Sequence, residues 1–194
     1  MVELAIVLPV LVTVFMGAWT AADLIVANNT TAQASRAGAR LGAELGNGGW
    51  KNGAPATGCQ TTSNDPCILD SQIINQVLPL VFSNGSSAMS NAVVTEVDIY
   101  RPGGSGNGCS FGSGCPPDNG AYVSGDKVDV YNVSSGGVAT RTSWTYGLDL
   151  RNQVHPSEAE LGVRVVFNYT SPTLKMFNQT GDSQYTVVRL APIE

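Results

Sequence analysis

LAIVLPVLVTVFMGAWTAA, residues 4–22, is an uncharged apolar run of 19 residues with Glu3 directly ahead of it. That length is enough for a helix to cross a bilayer core. The run passes without a turn signal into an Ala/Arg-rich segment reaching Gly46, where Asn47-Gly48-Gly49 reads as a helix stop. The sequence therefore predicts one long helix, apolar in its first half and polar in its second. Glu3 at its outer tip is costly in hydrocarbon. It needs an interfacial depth or a cationic partner, and a helix that starts in a membrane and ends in the core of an assembly meets both needs.

Three readings of this segment compete. A cleaved secretory signal carries a basic leading region and a small-residue cleavage site, and an ordinary anchor carries basic residues on one flank. Here no Lys or Arg precedes Arg36. The third reading, a helix already trimmed of a basic leader, explains that gap and places Met1 at or near a processed terminus.

Within the helix, Pro9 removes one backbone bond at a cost of about 3 kcal/mol, which neighbouring helices can offset. Asp23 reads as a marker of the membrane boundary or as part of a polar seam. Gly38, Gly42 and Gly46 recur every fourth residue, with Ala34 one turn earlier. That stripe lies on one face and lets another backbone approach closely, although Gly46 reads more simply as the helix end. Arg36 and Arg40 share a face, with Glu44 a turn further on, as a solvated stripe or as a contact to a neighbour.

The whole chain has 194 residues, 13% of them charged, 22 glycines and a net charge of −5. Residues 1–46 as a stem leave residues 47–194 as one head domain of ordinary size. The acidic balance argues against nucleic acid, because no basic patch exists to neutralise phosphates. The expected fold class is α+β: a long N-terminal helix and a C-terminal antiparallel β-sheet head with disulfide-stapled loops.

Cys59, Cys67, Cys109 and Cys115 make an even set in a chain with an export-type N-terminus, which suggests disulfides. Three pairings exist and spacing does not choose among them; the local pairs Cys59–Cys67 and Cys109–Cys115 are favoured. The alternative, a zinc site, fits poorly, since the C-x7-C and C-x5-C spacings match no common pattern. Residues 47–69 read as a loop. Asp70 then reads as the cap of a short helix carrying Ile73, Ile74, Val77, Leu78 and Val81 at helical spacing. A second loop spans about 101–121. Strands are predicted at Val93–Tyr100, Lys127–Val133, Gly162–Tyr169 and Tyr185–Leu190. Val163, Val165 and Phe167 share one face and Val187 with Arg189 another, to be buried on Leu41 and Leu45.

Residues suited to catalysis do not assemble into a motif: no nucleophile elbow, phosphate loop, HExxH or dinucleotide fingerprint occurs. His155, followed by Pro156, reads as a surface residue, and Gly104-x-Gly106-x-Gly108 as a loop. Asp129 with Asp149 has no defensible spacing, and calcium near Asp65, Asp70 or Asp118 is weakly supported. The expectation is no enzyme, no cofactor and no metal. Asn84, Asn132, Asn168 and Asn178 each open an N-x-[ST] triplet in the head. Asn28 and Asn29 do so on the stem, where neighbours are expected to bury them.

Val2-Glu3-Leu4-Ala5-Ile6-Val7-Leu8-Pro9 resembles the "VEFALVLP" opening of TadE-like proteins, in the tight-adherence branch of the type IV pilus superfamily. Ala34-Ser35-Arg36-Ala37-Gly38-Ala39-Arg40 is similar to their "AAREGAR" segment. Leu161–Tyr169 resembles their "IGVRVTYxY" strand, and Val187–Pro192 their closing "VMRLEP". The resemblance implies a subunit of an extracellular filament, membrane-anchored before assembly, with the head exposed for adhesion. It implies as partners further copies of the chain, a prepilin peptidase, membrane assembly machinery and the inner membrane. A carboxylate at Glu3 would neutralise a neighbour's N-terminal amine, although the superfamily's acid usually stands about fifth after cleavage rather than third. The alternative is a minor, membrane-held pseudopilin that primes or tips a filament of another pilin; a surface-anchored binding module is more remote.

Overall fold

The computed structural model describes residues 2–45, 65–101, 127–151, 161–171 and 179–187. Helix α1 (Val2–Leu45) runs unbroken through Pro9. Helix α2 (Cys67–Val81) follows. Then come the small hairpin β1 (Phe82–Ser83) and β2 (Ser86–Ser87), and the strands β3 (Ala92–Arg101), β4 (Lys127–Val133), β5 (Ala139–Trp144), β6 (Leu161–Tyr169) and β7 (Gln179–Val187). Among the described residues, these last five form one antiparallel sheet in the order β5-β4-β3-β6-β7. The expected α+β class, with a long apolar-led helix and an antiparallel sheet, is what the chain adopts.

The β1–β2 hairpin turns at Asn84-Gly85, both at positive φ (52° and 74°). Two such residues in succession make the turn whose twist matches the flanking strands. Strand β3 carries a bulge between Val94 and Glu96. Beyond it Val97 faces Val165 and Tyr131, and Ile99 faces Val163 and Asp129. Strand β6 is buried on seven of its nine residues, with Arg164 and Asn168 the outward-facing exceptions.

Helix α2 carries the expected apolar stripe but begins at Cys67, inside the stretch read as a loop and ahead of the expected cap at Asp70. The Asp65 carboxylate accepts the Cys67 N–H at 2.9 Å, whereas Asp70 is a fully buried residue of the first turn. Strand β7 begins six residues before the predicted Tyr185; Arg189 lies outside the described residues. Strand β5 has no counterpart in the prediction.

The core lies between the sheet's inner face, α2 and the upper half of α1. On α1 the buried residues are Ala27, Thr31, Ala34, Ser35, Gly38, Ala39, Gly42 and Ala43. They recur at three and four residues and so share one face. The buried hydroxyls are satisfied locally, with Thr31 donating to the Ala27 carbonyl and Ser35 to that of Ala32. Leu45 packs at the margin of the core and Leu41 is half-buried. The seat for the sheet is thus built from small side chains rather than from the two leucines.

Candidate functional site

Two regions of α1 behave differently, and the head marks the division. The Tyr169 hydroxyl donates to the Thr20 carbonyl at 3.3 Å, and the Asn91 amide donates to the Asp23 carboxylate at 2.7 Å. These contacts close the base of the head on the stem. Asp23 is therefore held by the chain's own β2–β3 connection. Below it, Val7, Leu8, Val10, Leu11, Val12, Val14, Phe15, Met16 and Trp19 are all exposed, Val14 at 67% and Trp19 at 59%. Soluble surfaces rarely carry so continuous an apolar area. By length and composition α1 is able to cross a membrane. The stretch from Val2 to Trp19 is about 27 Å long at the helical rise per residue, close to a bilayer's hydrocarbon thickness of about 30 Å.

Above the division the inward stripe is occupied. A side-chain carbon at Gly38 would lie 2.6 Å from Val77 Cγ2 and 3.3 Å from Ile73 Cγ2; one at Gly42 would lie 2.7 Å from Leu161 Cδ2. Close approach is indeed what these glycines permit, and the elements that approach are the chain's own α2 and β6. Arg36, Arg40 and Glu44 are exposed on the other side, as are Ile25, Val26, Asn28, Asn29 and Gln33. Asn28 and Asn29 are thus uncovered by this chain. Glu3 belongs to α1, but its side chain is outside the described residues.

The head contains a buried ionic cluster that the sequence reading did not assemble. Arg151 Nη2 donates to Asp70 Oδ1 at 2.6 Å and to Asp129 Oδ2 at 3.0 Å, with all three side chains fully buried. The Tyr131 hydroxyl donates to Asp70 Oδ2 at 3.0 Å. Asp129 Oδ1 accepts the N–H groups of Thr145 and Tyr146. The Arg151 guanidinium stacks 4.6 Å from the Tyr146 ring centroid; its Nε and Nη1 find no acceptor among the described residues. Burial, reinforced by Asp70, pushes the Asp129 carboxyl up to about 8 against the pull of Arg151. Beside this cluster Arg141 forks onto Asp65, with Nη2 at 3.0 Å from Oδ2.

On the opposite sheet face, Arg164 bonds Asp98 at 3.1 Å, with Glu96 at 4.0 Å. Burial and Glu96 push Asp98 up to about 7. Asp65 and Asp70, considered as oxygen ligands for calcium, are each committed to an arginine. No cluster of three or more metal-ligating side chains occurs among the described residues.

The other sites named from sequence fall as follows. Cys67 is buried at the first residue of α2, and Cys59, Cys109 and Cys115 lie outside the described residues, as do Asn178 and His155. Asn84 is exposed at the hairpin tip and Asn132 on β4. Asn168 is exposed on β6, where its side-chain oxygen accepts from Thr180 at 2.8 Å.

Residues 1–40 match the family model described as TadE-like protein. The matched span carries both the opening octapeptide and the Gly-Ala-Arg segment, so the similarity to TadE-like proteins lies in the N-terminal helix. The match ends at Arg40 and does not extend to β6 or the C-terminal segment. No curated protein and no solved structure matches the chain.

Proposed function

We propose that this chain is a structural pilin subunit of a type IV pilus-like filament, polymerising through α1 with the head outside for adhesion. One observation carries the reading: α1 presents large apolar side chains from Val7 to Trp19 that its own head leaves bare, directly below a seat that the head fills. Such a surface is at rest only in lipid or against other apolar helices. Before assembly the stem is held in the inner membrane. It is trimmed by a prepilin peptidase and then moved by membrane assembly machinery into contact with further copies. The exchange is nearly neutral in hydrophobic terms, since both surroundings are apolar, and is driven by packing and by pairing of Glu3 with a neighbour's terminal amine. Pro9 loosens the free stem, and Arg36 and Arg40 offer charged contacts to neighbours. Adhesion is then set outside the cell by the exposed loops.

The same reading assigns no enzymatic activity. It pairs Cys59 with Cys67 and Cys109 with Cys115 in oxidised loops; of these four only Cys67 is among the described residues, buried at the start of α2. It places glycans, where the source organism adds them, at Asn84, Asn132, Asn168 and Asn178. A second reading, the minor pseudopilin that primes or tips another pilin's filament, draws on one observation. The outward face of the upper stem is polar at Asn28, Asn29, Gln33, Arg36, Arg40 and Glu44, which suits few identical neighbours.

The experiment is Glu3→Leu expressed in the native cells, with mass spectrometry of sheared filaments from both strains. The expected result is a folded head, no filaments from the variant, and this chain as the main filament band in the parent. Normal filaments from Glu3→Leu would remove the pairing role, and a main band of another protein would favour the minor subunit.

A further inference from the structure

The Asp70–Arg151–Asp129 cluster joins three elements distant in sequence: α2 through Asp70, the sheet through Asp129, and the segment after β5 through Arg151 and Tyr146. Two carboxylates and one guanidinium with no exposure would carry a net negative charge into a low-dielectric interior. An uncompensated buried charge is strongly disfavoured, and neighbouring acids that share one site retain a proton instead. Among the described residues, the other ionisable groups facing Asp129 do not supply the missing cation. Tyr131 on β4 donates its hydroxyl to Asp70, Tyr146 presents its ring to Arg151, and Arg141 on β5 is taken up by Asp65. Arg101 at the end of β3 acts on Tyr146 and has no bond to either acid among the described residues.

We propose that the buried cluster holds one proton, on the Asp129 carboxyl, and that losing it unlatches α2 and the Tyr146–Arg151 segment from the sheet. The device makes the head tighter in acid and looser in alkali. Its sign follows from the direction in which burial moves Asp129. An opened cluster releases its proton at the ordinary carboxylate value, near 3.8, whereas the closed one keeps it to about 8. The latch is therefore at full strength below the lower value and weakens as pH rises between the two.

The test is thermal unfolding of the full chain in detergent micelles across about pH 5 to 9. The ratio of closed to open head is expected to fall by up to about tenfold per pH unit until the carboxyl titrates. Asp129→Asn, whose carboxamide copies the protonated acid, is expected to flatten that slope. A slope unchanged by Asp129→Asn overturns the proposal. Should that variant not fold, carbon-13 NMR of labelled aspartate carboxyls decides, in an Asp98→Asn background that removes the outer-face acid from the record. A carboxyl titrating near or above neutrality supports the retained proton; all of them titrating near pH ~4 overturns it.

Discussion

Replacing Gly38 tests whether the small-residue stripe of α1 serves the head or a neighbouring subunit. A side-chain carbon there would stand 2.6 Å from Val77 Cγ2, about 1 Å inside ordinary contact. Val77 is fully buried, and its branched side chain has one preferred rotamer in a helix, so the methyl has little room to turn away. Overpacking of this kind costs about 1–3 kcal/mol. Alanine in place of glycine returns about 1 kcal/mol through helix propensity. Gly38→Ala should therefore lose about 1 kcal/mol net, a fall of about 3 °C in Tm for a domain of this size. Gly38→Leu adds three further carbons to a filled space and should cost at least about 3 kcal/mol, roughly 10 °C. Gly42→Ala should be milder, because the atoms it meets, Leu161 Cδ2 and Ile73 Cδ1 at 2.7 and 3.0 Å, are the far ends of longer side chains. The assay is thermal unfolding of the full chain in detergent, beside filament yield from cells. A Gly38→Leu chain with a parental Tm that nevertheless makes no filaments would refute the reasoning and return the stripe to the inter-subunit interface.

Removing the Arg151 side-chain charge as Arg151→Met leaves Asp70 and Asp129 buried without their cation, a loss of about 3–5 kcal/mol in urea unfolding. Adding Asp70→Asn and Asp129→Asn should recover part of it, and a fully stable single variant would contradict the buried pairing. The outer face has its own pH signature. Asp98 is pushed up to about 7 by burial and Glu96, so its contribution to stability is complete below its unfolded value and is lost as pH rises towards neutrality. Asp98→Asn should flatten that part of a stability–pH profile, and a profile unchanged in shape would remove Asp98 as its source.

Periodicity made the helices and the central strands legible. Ile73, Ile74, Val77 and Val81 give α2 its inward stripe, and alternation with β-branched content marks Lys127–Val133. The edge strands were less visible for a physical reason. Ala139–Trp144 is Thr- and Ser-rich and largely exposed, so no apolar alternation betrays it. The polar start of β7, Gln179-Thr180-Gly181-Asp182, hid its first half in the same way. Gly181 is tolerated there because Phe167 covers the position, with a ring atom 2.7 Å from where a side-chain carbon would stand. The ionic cluster left one trace. Asp129 occupies an inward position of β4 together with Tyr131 and Val133, and an acid on an apolar strand face requires a buried partner. That partner, Arg151, lies in a stretch with no periodic pattern, so only the folded chain could bring it to Asp70 and Asp129.

The resemblance to TadE-like proteins and the geometry bear on the same helix from different directions. The matched residues 1–40 include both the bare lower stem and most of the seat, two lengths of helix built for different surroundings. Large side chains such as Leu11, Phe15 and Trp19 need an apolar medium supplied from outside. Ala34, Gly38 and Gly42 need nothing outside, because the chain brings Ile73, Val77 and Leu161 to within touching distance. The change occurs at Thr20 and Asp23, where Tyr169 and Asn91 anchor the base of the head. An acid at that position can keep its hydrogen-bond partner whether lipid or protein lies below it, because that partner, Asn91, belongs to the chain's own head. On the proposed filament reading, that contact would let the head stay folded while the lower stem exchanges lipid for neighbouring helices.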